Sequence, residues 1–504
     1  MTPPRLDAAW LARARRGGAP GSRHDPGLPA YLPQAHGVGI VHLGTGAFHK
    51  AHQAVYTDEL LSRQGGDWRI QGVSLRSESV AASMNPQDGL YTLLVRHPEG
   101  TAARVIGSIA GVIAAVRDPA AVLDALGSPA VRIVTLSVTE KAYGIDRHAG
   151  GLLSDHPAIV HDLAHPEHPI GPLGILSLAL RRRHARGIEP FTVLCCDNLP
   201  DNGRLLRSGV LDMTAAVDPA LRAWMAEDVA FPSSMVDRIT PASTARTRAD
   251  ASALMGYEDH AAVETEPFSM WVIEDRFPAG RPAWEQAGAL MVDDVAPYEQ
   301  MKLRMLNGAH SLLAYAGHVA GYRHVKDAMS DAALASTVRR LMDAAADSLD
   351  RKPGLDLQEY ARSLCARFAN RAIEHETYQI AMDGTEKIPQ RILAAAHSAW
   401  QREDDIEPFA FAIAAWMRYC LGRTDAGVKY ALRDPREAEL QRRANACGHD
   451  AAALAQALML EDLFPQALRA SPVWQAQLAV HLQRMLDSGM QSACRAFIAG
   501  GPRP

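Results

Sequence analysis

The stretch that decides the fold is Val38-Gly-Ile-Val-His-Leu-Gly-Thr-Gly-Ala-Phe-His-Lys-Ala-His-Gln53. Its first part, Gly39–Leu43, is short and mostly apolar, as strands buried in a parallel sheet tend to be. A glycine turn follows at Gly44 and Gly46, and a helix is predicted from Ala51 to Ser62. Because strand, glycine turn and helix in this order open a βαβ unit, we predict a doubly wound α/β sheet.

The alternation of strand-like and helix-like segments continues to about residue 295. Further strands are predicted at Ile70–Leu75, Val105–Ile109, Ile133–Val138 and Thr192–Cys196. Tyr91–Val95 is predicted as an extra strand or hairpin, and Pro119–Leu126 as a helix. After about residue 298 strand candidates are almost absent, and the pattern predicts amphipathic helices at Ala332–Leu349, Asp356–Phe368, Pro389–Gln401, Pro408–Leu421, Ala451–Phe464 and Pro472–Asp487. We therefore predict an N-terminal extension (1–36), an α/β domain (37–297) and a mostly α-helical domain (298–504).

Length and composition narrow the class of protein. A chain of 504 residues with 47% hydrophobic residues is too long for one ordinary core. The net charge of −5 gives no indication of a nucleic acid or an anionic membrane as partner. We find no apolar run long enough for a transmembrane helix and no signal peptide, and we interpret Gly17 to Pro33 as a tail or a strap. The six cysteines are scattered without a CxxC pair, so we expect no zinc and a reducing cytoplasm.

The glycine turn is a candidate nucleotide site. Gly44 and Gly46 would let the backbone approach a pyrophosphate at the start of a helix. The third glycine of the G-x-G-x-x-G pattern is missing and His49 stands there, so plain strand–turn–helix packing explains the turn equally well. After the next strand, Glu78 could hold the ribose hydroxyls of NAD, whereas Arg76 could accommodate a 2′-phosphate. Both could also be solvated loop charges.

A second informative stretch is Met301-Lys-Leu-Arg-Met-Leu-Asn-Gly-Ala-His310, whose flanks predict a helix. At about 100° per residue, His310 would lie roughly 80° from Lys302 and roughly 60° from Asn307, so the three could face one cleft. A lysine can exchange a proton if burial lowers its pKa, an asparagine can hold an oxyanion, and a histidine can orient a hydroxyl. The alternative is a surface lysine beside two helix polar groups.

Other polar residues follow predicted strands, where α/β sheets bind ligands. Asn198 could supply a second amide to an oxyanion, or belong to an Asx turn. Glu140 could conduct a proton and Lys141 could hold a substrate anion, or the two could form an ion pair. Asp237 could polarise the catalytic lysine or bind a hydroxyl, or pair with Arg238.

Together these segments resemble the polyol-specific long-chain dehydrogenase/reductase family, also called the mannitol dehydrogenase family. In family order, from about residue 38 to 390, the matching segments are Gly44-x-Gly46-x-Phe48-His-Lys-Ala-His-Gln53, Thr139-Glu140, Cys196-Asp-Asn198, Met235-Val-Asp-Arg238, Glu266-Pro-Phe-Ser-Met-Trp271-Val-Ile-Glu-Asp275, Gly280-Arg-Pro-Ala-Trp284, Lys302…Asn307…His310 and Asp383-Gly-Thr-Glu-Lys387. The resemblance implies an N-terminal Rossmann-type domain, an α-helical C-terminal domain and a site in the cleft between them. It also implies hydride transfer to or from a nicotinamide without a metal.

The resemblance further implies a role for each matching polar residue. Lys302 would be the acid/base, and Glu140 would relay its proton to solvent. Lys387 would touch the far end of the substrate. The residues that hold the reacting oxygen or tune the lysine would be Asn198, Asn307, His310 and Asp237. The cofactor would lie against Gly44, Gly46 and Phe48.

Two positions distinguish the substrate class. Thr139-Glu-Lys141-Ala142-Tyr143 resembles the Thr-Glu-Lys-Gly-Tyr of fructuronate reductases more than the Thr-Glu-Gly-Gly-Tyr of mannitol-type members, although Ala142 departs from both. Gln379 stands where mannitol-type members carry an arginine. Lys141 could pair with the carboxylate of a uronate, which a hexitol lacks.

We therefore expect a small sugar-acid substrate and the reaction of D-fructuronate and NADH to D-mannonate and NAD. A mannitol 2-dehydrogenase, or another polyol dehydrogenase, is the alternative, and a non-catalytic nucleotide-binding sensor is a remote one. NAD(H) should be preferred and NADP(H) tolerated, because Glu78-Ser79 offers one carboxylate where NAD-preferring members show two. The family resemblance permits a monomer or a weak homo-oligomer.

Overall fold

The computed structural model describes residues 3–17, 27–146, 151–350 and 355–500. Residues 18–26 of the predicted tail or strap lie outside these ranges. The chain divides into two compact units, residues 1–296 and 297–504. In the described residues no helix is both long enough and apolar enough to cross a lipid bilayer.

The first unit contains strands and helices in alternation. Its strands are β1 (Val38–Leu43), β2 (Arg69–Ser74), β3 (Tyr91–His97), β4 (Gly100–Ile106), β5 (Ile109–Ala114), β6 (Ile133–Leu136), β7 (Thr192–Cys195), β8 (Ser234–Asp237), β9 (Val263–Thr265), β10 (Met270–Glu274) and β11 (Leu290–Val292). Its helices are α1 (Ala8–Gly17), α2 (Ala47–Ala51), α3 (Gln53–Gln64), α4 (Ser79–Met84), α5 (Pro119–Leu126), α6 (Pro157–Ala164), α7 (Pro172–Ala185), α8 (Asn202–Val217), α9 (Leu221–Asp228) and α10 (Ala245–Met255).

The main sheet is parallel and five-stranded, with the order β5-β2-β1-β6-β7. Leu43 at the end of β1 lies opposite Val73 of β2 on one side and Leu136 of β6 on the other. Alternate residues of β1 face different cores: Val41 packs with α7 and α8, whereas Ile40 packs with α3 and β10. Strands that are buried on both faces consist of short apolar runs, and such runs predicted the strands of this sheet. The predicted Rossmann-type domain is confirmed.

The predicted strand Val105–Ile109 is wrong, because two different strands meet there. β4 ends at Ile106 and pairs antiparallel with β3, while β5 begins at Ile109 in the main sheet. The turn between them is fixed by polar contacts: the Gly107 N–H donates to the Asp58 carboxylate over 2.8 Å, and the Ser108 hydroxyl donates to the Ala54 carbonyl over 2.6 Å. The segment Val105–Ile109 therefore contains the end of a strand in one sheet and the start of a strand in another. The hairpin predicted after Tyr91 is present.

The predicted helix Ala51–Ser62 is interrupted near its start. His52 has φ −119° and ψ −94°, outside the helical region, and it separates the short α2 from α3. The sequence contains no glycine or proline at this point that would have predicted the break.

The second unit is largely helical in its described residues, as predicted. It contains α11 (Ala296–Met301, which begins at the last residue of the first unit), α12 (Gly308–Val319), α13 (Val325–Ala328), α14 (Ala332–Asp347), α15 (Leu357–Phe368), α16 (Thr377–Ile380), α17 (Gly384–Ile388), α18 (Ala394–Gln401), α19 (Glu407–Tyr419), α20 (Glu437–Ala446), α21 (Ala451–Leu458), α22 (Gln466–Ala470), α23 (Pro472–Ser488) and α24 (Met490–Ala499).

Two helices form the centre of this unit. Nearly every residue of α12 and of α19 is buried, and the two helices pack against each other. A helix that is apolar on all sides belongs inside a core, and the amphipathic helices α14 and α23 cover this pair. The predicted helix Ala451–Phe464 ends early, at Leu458, because a separate turn then buries Leu460 and Phe464.

Two buried histidines of the first unit stack on each other beside the main sheet. His42 of β1 and His49 of α2 stack with their ring centroids 3.5 Å apart. The His42 ring is hydrogen-bonded to the hydroxyls of Thr135 (2.7 Å) and Ser137 (2.8 Å). Burial lowers the pKa of His42 to about 3 and holds the pKa of His49 well below its usual value, with His42, Lys50 and His52 adding to the effect. Both rings are therefore neutral in the folded protein.

We expect the free energy of unfolding to fall as the pH drops from about 6.5 toward 5, since only the unfolded chain then gains protons at these histidines. Each ring should account for about 1–2 kcal/mol over this interval. Urea unfolding at pH 7.5 and pH 5 measures the change. His49→Leu should show a smaller loss than wild type, whereas the exposed His260→Leu should keep the full loss. Equal losses in all three proteins would contradict this assignment.

Candidate active site

The glycine turn after β1 is fastened to its neighbouring strands. The backbone N–H groups of Gly44 and Thr45 both donate to the Val73 carbonyl at the end of β2, over 2.9 and 3.0 Å. Gly44 has φ +95°, and a Cβ there would lie 2.3 Å from the Ser137 carbonyl oxygen. The fold itself therefore requires glycine at position 44.

Gly46 is different, because the protein's own packing does not require it. Its backbone is extended, with φ −138°, and within the part of the chain that the structure describes an added Cβ would meet only the Gly44 carbonyl oxygen, at 3.7 Å. Among the described residues, no side chain caps the helix that begins there. A glycine that leaves open space at the start of a helix fits close approach by a phosphate, so these residues suit a dinucleotide pyrophosphate.

The residues just after the turn explain the missing third glycine. His49 occupies that position and is buried against His42, so imidazole stacking replaces the usual close contact between helix and sheet. Phe48 is partly buried and stacks on His52, with ring centroids 5.0 Å apart. The strand, the turn and the helix are therefore all present, and the stacked histidine pair takes the place of the third glycine.

The residues after β2 are exposed. The Glu78 carboxylate forms an ion pair with the Arg117 guanidinium over 3.0 Å, and Arg76 is exposed on the same loop. Arg117 follows β5, which neighbours β2 in the sheet. Sequence reasoning missed Arg117, because its position beside Glu78 depends on the strand order.

The loops after β6 and β7 are joined by one carboxylate. Asp197 accepts hydrogen bonds from the N–H groups of Val138 (2.9 Å) and Thr139 (3.1 Å) and from the Tyr143 hydroxyl (2.6 Å). Burial raises the pKa of Asp197, and these three donors act in the opposite direction. Thr139 has φ 75° and ψ 150°, a strained region that glycine usually occupies. The carboxylate therefore holds the loop that carries Glu140.

The structure places three predicted site residues on these two loops. Glu140 and Lys141 are exposed on a short 3₁₀ turn, Glu140–Ala142, directly after the strained Thr139. Asn198 is exposed directly after Asp197. In the sequence, Asp197 is recognisable only as part of a matching motif, because its hydrogen bonds with Val138 and Thr139 depend on the tertiary structure.

Asp237 ends a strand, but not a strand of the main sheet. β8 pairs antiparallel with β10 in a separate three-stranded sheet of order β11-β10-β8. Asn202 joins the two sheets, because its amide donates to the carbonyls of Cys195 (3.3 Å) and Ser234 (2.8 Å). Asp237 itself is buried. The expectation that it lies at the edge of the doubly wound sheet is therefore corrected: it belongs to an adjoining sheet.

Arg238 bonds to the backbone. Its guanidinium donates to the Ala51 carbonyl over 2.6 Å and to the Glu266 carbonyl over 3.1 and 3.3 Å. Burial lowers the pKa of Arg238 to about 10, so the group stays charged at neutral pH. These contacts attach α2 to the β8 end and give Arg238 a structural role.

In the second unit, the segment with the predicted catalytic lysine is not a regular α-helix. Lys302–Asn307 forms a π-turn between α11 and α12, and the Gly308 N–H bonds back to the Leu303 carbonyl, five residues earlier. The rotation of about 100° per residue assumed above is therefore wrong here. Because a π-turn closes over five residues, Lys302 and Asn307 lie about one turn apart on the same side. Lys302 is buried.

His310 is buried in an aromatic and basic environment. Its ring stacks on Phe368 with centroids 4.4 Å apart and meets the edge of His375 at 5.4 Å. Burial, followed by the charges of His375, Arg367 and Arg391, holds the pKa of His310 well below its usual value. Its Nε2 has no hydrogen-bond partner within the described residues. A neutral imidazole with an unused nitrogen can bind a substrate hydroxyl.

Further along the second unit, Gln379 lies in α16 and Lys387 lies in α17. The Lys387 ammonium donates to the Met382 carbonyl and lies 3.9 Å from the Asp383 carboxylate. Gln379 is exposed. Over the ranges that the structure describes, no three His, Cys, Asp or Glu side chains are grouped as ligands for a metal ion.

Comparison with known proteins gives the class. The chain matches the Mannitol dehydrogenase Rossmann domain over residues 38–286 and the Mannitol dehydrogenase C-terminal domain over residues 294–486. It is 47% identical to the uncharacterized oxidoreductase YeiQ of Escherichia coli, over 82% of this chain and 85% of that protein. It is 39% identical to the D-mannonate oxidoreductase of Escherichia coli, over 91% of this chain and 95% of that protein.

A solved structure shows the same architecture. The mannitol 2-dehydrogenase of Pseudomonas fluorescens, in ternary complex with NAD and D-mannitol, is 38% identical with a TM-score of 0.80. The match covers 94% of this chain and 97% of that one. The chain thus belongs to the mannitol dehydrogenase family, whose members are NAD-dependent oxidoreductases acting on CH–OH groups.

Because there is open space at Gly46, a substitution there tests whether the glycine turn after β1 binds the cofactor. We expect Gly46→Ala to weaken NADH binding about tenfold, or about 1.4 kcal/mol, because the methyl group would occupy the space for the pyrophosphate. Its melting temperature should stay near that of wild type, since the Cβ meets no protein atom closely. NADH fluorescence titration and thermal unfolding measure both. Gly111→Ala in β5, another site with room for a Cβ, is the control; weakened binding in both variants, or in neither, would contradict the assignment.

Proposed function

We propose that this enzyme interconverts D-fructuronate and D-mannonate with NAD(H), and that Lys302 is its acid/base. The observation that carries the choice of substrate is Lys141, a cation exposed on the turn that Asp197 and Thr139 hold. Similarity to the D-mannonate oxidoreductase supports the proposal. Gln379, in place of the arginine of mannitol-type members, supports it as well.

When bound, NAD(H) would supply or accept the hydride, and the residues named below would donate or accept the proton. In reduction, the amides of Asn198 and Asn307 donate to the keto oxygen, and the Lys302 ammonium gives that oxygen its proton. In oxidation, the neutral Lys302 amine takes the proton back. The carbon gains a hydride and the oxygen a proton, so one keto group becomes one CH–OH group.

Three further residues complete the proposed proton chemistry. The neutral His310 orients the hydroxyl through its free Nε2. The role proposed for the buried Asp237 carboxylate is to raise the pKa of Lys302, since a negative charge favours the ammonium form of a lysine. Glu140, exposed after Thr139, passes the proton between Lys302 and solvent.

Charge explains the preference for a sugar acid. A uronate carries a carboxylate that Lys141 can bind, and a charge-assisted hydrogen bond is worth about 1.5–3 kcal/mol. Lys387 and Gln379 contact the other end of the substrate in this proposal. A neutral ketose would gain nothing from Lys141.

A mannitol 2-dehydrogenase activity is the second candidate. The similarity to the Pseudomonas fluorescens enzyme in complex with D-mannitol favours it as strongly as the other comparisons favour the uronate. In that case Lys141 would have a structural role only.

We also propose that NAD(H) is preferred and NADP(H) tolerated. Glu78 supplies one carboxylate for the ribose hydroxyls. Arg76 and Arg117 lie close enough to that loop to reduce repulsion of a 2′-phosphate.

Steady-state reduction of D-fructuronate and of D-fructose by NADH tests the substrate. We expect kcat/KM to favour D-fructuronate by at least about tenfold, matching one charge-assisted bond. Lys141→Gln should lower kcat/KM for D-fructuronate by about 10–100-fold and leave D-fructose within about twofold. Lys429→Gln, an exposed lysine of the second unit, is the control. Preference for D-fructose, unchanged by Lys141→Gln, would favour the mannitol-type activity instead.

A further inference from the structure

In the part of the second unit that the structure describes, two π-turns, Lys302–Asn307 and Pro389–Leu393, pack against each other. The second has a cause in the sequence, because Pro389 lies within a helical run and has no N–H to bond to the preceding turn. The first contains neither proline nor glycine. Since π-turns are rare and less favourable than α-helix, something outside the segment must stabilise it.

The contact between the two turns is unusually close at one point. An ideal Cβ on Gly308, the first residue of α12 directly after the first π-turn, would lie 2.9 Å from the Arg391 carbonyl oxygen in the second. Backbone cannot move aside as a flexible side chain can, so only glycine fits there. The Arg391 guanidinium also donates to the Ser311 hydroxyl over 3.3 Å. Arg391 thus holds α12 at two points about one turn apart.

These two contacts fix the start of α12 on both sides of His310. The preceding helix α11 ends at Met301, and α12 begins at Gly308. The residues Lys302–Asn307 must therefore span the fixed distance between these two helix ends. A regular α-helix would place Lys302 and Asn307 about 140° apart, on different sides. The π-turn places them on the same side.

We propose that Gly308 and Arg391 are positioning residues, which keep Lys302 and Asn307 in the π-register needed for proton transfer. This inference rests on the proposed roles of Lys302 and Asn307. Gly308 has no functional group of its own. Because it has no side chain, the Arg391 carbonyl can contact the start of α12 closely and fix its position.

The test compares two glycines of one helix. Gly308→Ala forces α12 away from the Arg391 carbonyl, and a displacement of about 1 Å can cost about 10²-fold in rate. Gly317→Ala, nine residues later, brings its Cβ to 3.2 Å from the side chains of Ala328 and Thr377 and leaves the π-turn untouched. Both variants should lower the melting temperature, so stability alone does not distinguish them.

We expect Gly308→Ala to lower kcat for ketose reduction about 10²-fold, with KM and NADH affinity within about threefold of wild type. Gly317→Ala should keep kcat within about threefold. The substrates are D-fructuronate and D-fructose, and the one that wild type reduces faster is used throughout. Full kcat in Gly308→Ala would overturn the inference.

Ser311→Ala gives an independent measurement if Gly308→Ala does not fold. It removes the acceptor of the Arg391 guanidinium and makes only a small change in volume. We expect kcat to fall about threefold or more with KM unchanged. A purely structural role would lower the melting temperature without this split, and that result would overturn the inference. A wild-type protein that reduces neither substrate would instead overturn the proposed function, and the inference with it.

Discussion

The carboxylate of Asp197 is the interaction on which the polar edge of the first unit depends. It accepts three hydrogen bonds from the loop after β6, and it lies on the loop after β7. Because those two strands are neighbours, a single side chain fixes the positions of Glu140, Lys141 and Asn198. The strain at Thr139 persists because the carboxylate and the Tyr143 hydroxyl hold the surrounding loop. Substrate choice and proton relay, as proposed, both depend on this loop keeping its shape.

In the second unit, the packed backbone sets the positions of the candidate catalytic residues relative to each other. A lysine and an amide five residues apart lie on different sides of an α-helix, and the π-turn brings them to one side. The nearby His310 stays neutral because it is buried among Phe368 and basic groups. In both units, therefore, strained or uncommon backbone carries the candidate chemistry, and ordinary packed structure surrounds and supports it.

The architecture could largely be predicted from sequence, since parallel strands buried on both faces leave short apolar runs. The change of sheet at Gly107 could not, because Val105 to Ile109 is apolar on both sides of the turn. The sequence motifs and the family resemblance predicted which residues form the candidate site. The π-turn, the position of Arg117 beside Glu78 and the separate sheet that carries Asp237 all depend on tertiary contacts, which local pattern does not encode.

The central claim is that Lys302 carries the proton, and chemical rescue of Lys302→Ala tests it most directly. We predict that kcat falls by about three orders of magnitude while NADH affinity is kept, and that added primary amines such as methylamine restore the rate in proportion to their concentration. Lys429→Ala should retain wild-type kcat and show no response to amines. Wild-type turnover in Lys302→Ala, or NADH binding without turnover in every variant and in wild type, would contradict the account.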